Sequence, residues 1–268
     1  MQSRPSSQRP RLILSFDFDG TLHDPASKPP VPSEFFVRMA QLRGRLGASW
    51  GINTGRSLEH LLEGLADCGL TIGPDWVVAR EREIYLQGKG GLQAHQAWNQ
   101  RCESEIAALF EIHRDLLASI RREVEERTGA QWFEMEGEPA GVIARTEEEI
   151  EWIVGRVLEQ IEPDSDLAWQ RNSIYLRFGH RAYQKGSSLS ELARLHGLGP
   201  GQCFAMGDSH NDLEMLAPEH AGMCACPANA LAEVKELVAR SGGLITASVH
   251  GAGVLEALDH FFGGSVIG

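Results

Sequence analysis

The sequence predicts an α/β protein in which a doubly wound, mostly parallel sheet is interrupted by an α+β insert. Three observations carry that expectation. Short continuous apolar runs such as Leu12–Phe16 end in acids or small polar residues, the pattern of buried parallel strands that stop at a ligand-binding edge. Near both ends of the chain these runs alternate with amphipathic stretches of helical period. Across residues 88–182 the texture changes to a long charge-rich helical stretch, two strands, a helix and two more strands, an order typical of α+β units. The expected organisation is a polar tail at 1–10, a core built from 11–87 and 183–268, and an insert at 88–182.

Element by element, the tail MQSRPSSQRP has nothing to bury and is read as disordered. Leu12–Phe18 is the first strand. Ser33–Leu46 is helical, with Ser33 the expected N-cap after Pro32, and Ala48–Asn53 is the next strand. Ser57–Cys68 is a helix capped by Ser57. Asp75–Ala79 is a third strand, and Glu83–Leu86 pairs with it as a hairpin arm.

In the insert, Asn99–Arg127 repeats apolar residues at helical spacing until Thr128-Gly129. The strands Gln131–Glu136 and Gly141–Arg145 flank a turn at Gly137-Glu138-Pro139. Thr146–Gln160 is a helix opened by the capping-box pattern Thr146-Glu147-Glu148-Glu149, and Leu167–Gln170 and Ser173–Phe178 follow as strands. Trp132, Trp152 and Trp169 are read as packing residues, and His95, His113 and His180 as surface residues without metal-ligand spacing. The alternation then resumes with helices at Ser187–His196, Asn211–Leu216, Leu231–Arg240 and Val254–Phe262. Strands at Gln202–Met206, Gly222–Ala225 and Leu244–Thr246 come between them.

Composition narrows the function classes. Hydrophobic residues make up 42% and charged residues 23% of the 268, which is ordinary for a globular protein. The 25 Lys and Arg against 37 Asp and Glu give a net charge of −12, which repels nucleic acid and anionic lipid. No apolar run is long enough for a signal peptide or a membrane span, so a cytoplasmic protein, monomer or homodimer, is expected. Five Cys without a CxxC pair argue against a disulfide framework or a structural zinc site.

Ligands of open α/β sheets bind outside the carboxyl ends of the strands, so the polar residues that follow apolar runs are the candidates for chemistry. Asp17-Phe18-Asp19-Gly20-Thr21 places two carboxylates on one loop, enough for a nucleophile and an acid/base. Asn53-Thr54-Gly55-Arg56-Ser57 offers a hydroxyl, a Gly backbone and a helix N-terminus, which suit a phosphate oxygen. Lys185 opens a helix, where a cation opposes the dipole unless acids surround it. Gly207-Asp208-Ser209-His210-Asn211-Asp212 aims two acids toward one point, where they can hold a hard cation.

Together, in that order, these segments resemble the haloacid dehalogenase-like superfamily, and specifically its phosphatases. The resemblance covers residues 11–87 and 183–268 and implies a Rossmann-like catalytic core with an inserted type-two (IIB) cap that governs specificity. It assigns Asp17 as the nucleophile that becomes an aspartyl-phosphate and Asp19 as the acid and later the base. Mg²⁺ is assigned to Asp17, the backbone carbonyl of Asp19, and Asp208. Thr54, Gly55, Lys185 and Asn211 are assigned to the phosphate, with Asp212 orienting Lys185. Arg56, Arg145, Arg171, Asn172 and Arg177 are the candidates for contact with the rest of the substrate.

The dehalogenases of this superfamily lack the second acid, so Asp19 disfavours dehalogenation. The insert, with Pro74-Asp75-Trp76-Val77-Val78 and Glu83-Ile84-Tyr85, is similar to the Cof-type and sucrose-phosphate phosphatase group. Here, however, Ala79-Arg80-Glu81-Arg82 stands where relatives often have a small, Gly-containing turn. The implied reaction is hydrolysis of a small soluble phosphomonoester, a sugar or sugar-acid phosphate of the sucrose-phosphate or mannosyl- or glucosyl-3-phosphoglycerate kind. The alternatives are a phosphomutase of the phosphomannomutase type and a catalytically silent binding or regulatory protein.

Overall fold

The structure is a computed structural model that describes residues 9–135 and 138–263. The expected tail, apart from its last two residues, and Glu136 and Gly137 of the insert lie outside the described residues, while Glu138 and Pro139, expected in a turn, belong to the strand that runs to Ile143. In chain order the elements are β1 (Leu12–Phe16), α1 (Ser33–Leu46), β2 (Ala48–Asn53), α2 (Leu58–Ala66), β3 (Trp76–Ala79), β4 (Glu83–Gly88), β5 (Gly91–Ala94), α3 (Gln96–Ile112), α4 (Arg114–Arg127), β6 (Gln131–Met135) and β7 (Glu138–Ile143). They continue with α5 (Glu147–Gln160), β8 (Leu167–Asn172), β9 (Tyr175–His180), α6 (Lys185–His196), β10 (Cys203–Met206), α7 (Leu213–Leu216), β11 (Met223–Cys226), α8 (Ala232–Arg240), β12 (Leu244–Ile245) and α9 (His250–Phe262). The chain divides into two compact units, Met1–His95 with Lys185–Gly268, and Gln96–Gln184.

The first unit holds an eight-stranded sheet in the order β12-β11-β10-β1-β2-β3-β4-β5. The six strands from β12 to β3 are parallel, and β4 and β5 fold back antiparallel at one edge. Every residue of β1 is buried, as a central strand covered on both faces requires. Phe35 of α1 packs edge-on against Phe16 at 5.3 Å and Trp50 at 5.2 Å, tying α1 to β1 and β2. Such aromatic pairs add ~0.5–1.5 kcal/mol each beyond the area they bury.

The second unit is a four-stranded antiparallel sheet, β6-β7-β9-β8. Leu117, Ile120 and Val124 of α4 and Ile150, Ile153 and Val157 of α5 form one apolar cluster with Val142, Leu167, Leu176 and Phe178 of the strands. Trp132, Trp152 and Trp169 pack against that cluster.

Several local features differ from the sequence expectation. The boundary between the units falls at 96 and 184 rather than at 88 and 182, because residues 91–94 form β5 of the first sheet. Gly91, at φ 109°, is what lets the chain turn back there. Pro32, not Ser33, occupies the N-cap of α1, and the Ser33 hydroxyl donates to Glu34 at 3.1 Å. The stretch Asn99–Arg127 is two helices broken at His113, whose ψ of 15° leaves the helical region. Thr146 does cap α5 by accepting from Glu149 N–H, but the Glu149 carboxylate reaches Arg145 N–H at 2.7 Å instead of closing the box.

Gly251 and Gly253 sit inside α9 rather than before it. A Cβ there would lie 2.4 Å from Pro32 and 2.6 Å from the Ser248 carbonyl. His95, His113 and His180 are half-buried rather than surface residues, and His95 meets Glu191 at 3.3 Å. All five cysteines are free and buried.

Candidate active site

The parallel register sets three chain segments level with one another. Phe16 is paired with Ile52 of β2 and with Met206 of β10, and Asp17 N–H extends the ladder to Met206 O at 2.9 Å. The next residues on the three strands, Asp17, Asn53 and Gly207, therefore emerge at one edge. On one side of β1 the chain runs outward through β2 and β3, and on the other through β10 and β11. This is the crevice where open α/β sheets bind their ligands.

Lys185 enters this crevice from the first residue of α6 and is fully buried. Its Nζ donates to Asp17 Oδ1 at 2.5 Å and to Asp212 Oδ1 at 2.6 Å. Asn53 holds the start of that helix by donating to the Lys185 carbonyl at 2.9 Å, and Glu214 accepts from Gly186 N–H at 2.8 Å. The cation thus sits against the helix dipole because two carboxylates meet it. Its pKa is raised, the attraction of Asp17 and Asp212 outweighing the opposing effect of burial.

The other acids follow from the loop after β10. Asp212 accepts from Asp208 N–H at 2.9 Å and Ser209 N–H at 3.0 Å, folding the loop around its own carboxylate. Asp208 is held by the Thr21 hydroxyl at 2.5 Å. Gly20 has φ 79°, and a Cβ on it would fall 2.5 Å from Asp208 Oδ2, so only glycine fits both the turn and the neighbour. Burial pushes the Asp17 carboxyl well above its ordinary range despite the opposing pull of Lys185. Burial, and then the charge of Asp212, raise Asp208 to about 6.

Carboxylate oxygens of Asp17, Asp208 and Asp212 all lie within 4.8 Å of one another. Three carboxylates against one ammonium leave a negative excess in a poorly solvated place, and hard oxygen donors suit a divalent cation. Of the three, Asp212 has both oxygens engaged, by Lys185 and by the backbone of its own loop. It thus holds the Lys185 ammonium and the loop that carries Asp208.

Asp19 stands apart from this cluster and is 46% exposed. Arg56 grips it with two bonds, Nε to Oδ2 at 2.7 Å and Nη2 to Oδ1 at 2.6 Å, while lying 5.0 Å over the Phe18 ring. Arg56, grouped by sequence with substrate contacts, is thus bound to the candidate acid/base. Thr54 is buried, and its hydroxyl accepts from Arg56 N–H at 3.2 Å, while Gly55 is half-buried beside it. Asn211 is buried and donates to Glu81.

The candidates in the second unit do not gather. Arg145 is 68% exposed and bound to Glu149, while Arg171 is buried between Glu147 and Glu151 with its Nε on the Ser173 carbonyl. Asn172 ends β8 in an exposed position, and Arg177 sits on β9 opposite Gln170. Arg171 is committed to holding β8 to α5, which its place in a strand did not disclose.

Sequence reasoning passed over Thr21, Asn53, Glu81 and Glu214. Asn53 carries the same signal as the residues it found, polarity at the end of an apolar strand, whereas Glu81 lies inside the turn after β3. Thr21 and Glu214 act only through the fold.

Residues 122–258, half of the chain, match the family of haloacid dehalogenase-like hydrolases. The chain belongs to this family. Among curated relatives of this hydrolase, a phosphoglycolate phosphatase of Methanothermobacter thermautotrophicus is 40% identical over 100 residues, 37% of this chain and 42% of that protein. A phosphoglycolate phosphatase of Methanoculleus marisnigri is 40% identical over 78 residues, 29% of this chain and 31% of that protein. Both matches span less than half the length of the relative. The sucrose-phosphatase of Synechocystis sp. PCC6803, solved with sucrose and phosphate, superposes with a TM-score of 0.65 at 19% identity over 94% of this chain and 98% of that one. The subclass IIB sugar phosphatase BT4131 does so with a TM-score of 0.62 at 17% identity over 93% and 98%. The hydrolase shares their fold.

Proposed function

We propose that this hydrolase is a phosphatase that splits a small phosphomonoester through an aspartyl-phosphate. The observation that supports it most is the buried Asp17–Lys185–Asp212 cluster level with Thr54 and Asp208 at the carboxyl edge of the sheet. In this reading an Asp17 carboxylate oxygen attacks phosphorus as the bond to the leaving oxygen breaks. Asp19, oriented by Arg56, gives a proton to that oxygen. Asp19 then takes a proton from water, which attacks the acyl phosphate and frees orthophosphate and Asp17. Lys185 offsets charge on the transferring group, the Thr54 hydroxyl donates a hydrogen bond to it, and Asn211 adds a contact. A bound Mg²⁺, for which Asp17, Asp208 and the carbonyl of Asp19 are the ligands, would offset the repulsion between the carboxylate nucleophile and an anionic phosphate.

For the substrate we infer a sugar or sugar-acid phosphate. Phosphoglycolate, named for the two relatives at 40% identity, is a very small acid of that class, and the sucrose-phosphatase fold sits at the larger end. We assign the choice of leaving group to the inserted unit.

The test is release of orthophosphate, with Mg²⁺, from a panel spanning phosphoglycolate, hexose phosphates, sucrose phosphate and phosphorylated glycosyl-glycerates. One preferred substrate is expected, with Asp17→Asn lowering kcat by at least ~10⁴-fold while the fold persists. Substantial turnover by that variant overturns the assignment of the nucleophile. Isomer formation without phosphate release identifies a mutase, and ligand binding without turnover by the wild type a silent relative.

A further inference from the structure

The turn between β3 and β4 is built from residues that resist its shape. Arg80 and Glu81 have φ of 46° and 66°, and Arg82 N–H closes the turn on the Ala79 carbonyl at 3.1 Å. Two successive left-handed residues make the hairpin turn that Asn and Gly usually supply, because other side chains crowd their own backbone there. Such strain persists only where the surroundings over-determine it.

The surroundings of Glu81 are the motif segments themselves. Arg80 N–H donates to the Arg56 carbonyl and Glu81 N–H to the Thr54 carbonyl, both at 2.8 Å, so the turn is stitched to the loop after β2. The Glu81 carbonyl accepts from the Ser188 hydroxyl on α6, one turn beyond Lys185, at 3.3 Å. The Glu81 carboxylate, in a residue only 4% exposed, accepts from Asn211 Nδ2 at 2.7 Å. One side chain and its backbone thus touch the segments that carry Thr54, Lys185 and Asn211, and the chemistry proposed above uses none of it.

An ionised carboxylate only accepts hydrogen bonds, so Asn211 must turn its NH₂ group toward Glu81. That removes the freedom of the amide to flip and leaves its second N–H in one set direction. A bond to a charged acceptor inside the protein is also stronger than one between neutral groups. We propose that Glu81 is a positioning residue that fixes the Asn211 amide for an oxygen of the substrate phosphate. The turn keeps its left-handed glutamate for this purpose. The inference rests on the phosphatase reading and deepens it.

The test compares wild type, Glu81→Gly, Glu81→Gln, Asn211→Ala and the Glu81→Gly/Asn211→Ala double variant. Four quantities are read: kcat and KM on the preferred phosphomonoester, inhibition by orthophosphate, and the thermal midpoint. Glu81→Gly is expected to lower kcat/KM about 10- to 30-fold, the loss of one charge-assisted hydrogen bond, and to weaken orthophosphate by a similar factor. Its thermal midpoint should hold or rise, since glycine relieves the left-handed backbone. Glu81→Gln, whose amide oxygen can accept the same N–H but without the charge and with freedom to turn over, should fall between wild type and Glu81→Gly. The double variant should be no worse than Asn211→Ala alone.

Wild-type kcat/KM in Glu81→Gly overturns the proposal, as do losses that multiply in the double variant. So does a fall in activity that tracks a fall in thermal midpoint and is not rescued by glutamine. Absence of phosphate release by the wild type itself is a different failure, of the phosphatase reading, and takes this inference with it.

Discussion

The two units use the same kind of interaction in opposite ways. In the first, Lys185 and Asp212 are fully buried and Asp17 nearly so, and the ammonium is shared between two carboxylates. In the second, Arg121–Glu125, Arg145–Glu149 and Arg114–Glu111 are pairs three or four residues apart, with at least one partner largely in water. Charges removed from water cost several kcal/mol per ion unless fully paired, whereas exposed pairs contribute ~0–1 kcal/mol. The buried cluster, three carboxylates about one ammonium, therefore needs a chemical reason to exist, while these exposed pairs need none. Charge density is a poor guide to function, and buried charge is a guide only where it is left in excess, since the buried Arg171 is matched by Glu147 and Glu151 and serves to hold β8 to α5.

The largest break in this comparison should come from Lys185→Met. Removing the ammonium leaves Asp17 and Asp212 buried without their partner, a loss of about 3–5 kcal/mol, together with at least ~10³-fold in kcat. Because burial already raises the Asp17 carboxyl and Lys185 no longer opposes it, that group can be buried neutral, and the variant should be less destabilised at pH 5 than at pH 8 by denaturant unfolding. No difference from wild type at pH 8 would mean that the cluster is not a single electrostatic unit.

Next in size is the effect of a divalent cation on wild type. Asp208 is raised to about 6 in the folded protein, against an ordinary value of 3.8, and burial is the main cause. A raised folded pKa gives stability that is present below about 4 and lost as pH rises through about 6. The metal-free protein should lose stability over that window, and Mg²⁺ should restore it. At a hundredfold excess over Kd the gain is about 2.7 kcal/mol. The rise in thermal midpoint with Mg²⁺ should be larger at pH 7.5 than at pH 5; equal rises would contradict the placement of the cation.

A smaller effect is expected from Arg171→Met in the insert, where the guanidinium joins Glu147, Glu151 and the Ser173 carbonyl. Loss of these bonds should cost about 1–2 kcal/mol by denaturant unfolding, with turnover per folded molecule retained. A selective loss of turnover would return Arg171 to the substrate contacts.

The smallest effect belongs to Arg145→Ala. Arg145 is the first cause of the fall in the Glu149 carboxyl to about 2, helped by the Arg145 and Gly129 backbone N–H groups. A depressed folded pKa gives stability present above about 4.5 and lost as pH falls toward 2. The variant should therefore lose part of its resistance to acid unfolding in that range. At neutral pH in 0.15 M salt it should be hard to tell from wild type.

The candidate site of the first unit is legible in the sequence because a buried parallel strand must end abruptly, and the polar residue after it announces the edge. Asp17, Thr54 and Asp208 were legible for that reason. β5 was not, because the Gly88–Gly91 turn and the short run beyond it carry too little apolar pattern. The break at His113 was hidden because helical spacing continues across it. The grip of Arg56 on Asp19 and of Glu81 on Asn211 joins residues 37 and 130 positions apart, and no local pattern encodes such a pairing. Glu81 also looked like a turn residue, the role its backbone has, and its carboxylate acquires a purpose only where three loops converge.

The short outer strands of the large sheet have a consequence for how the protein behaves in a crowd. One margin ends in β12, two residues long, and the other in β5, four residues long with a left-handed glycine at its start. Unpaired strand margins are templates on which other chains add, and their hazard grows with length and flatness. Here neither margin offers more than a few backbone groups, so the long central strands stay sealed inside. A substitution that frayed β5 away would uncover β4, a longer margin, and aggregation of that variant should begin before the carboxyl edge of the parallel strands is disturbed.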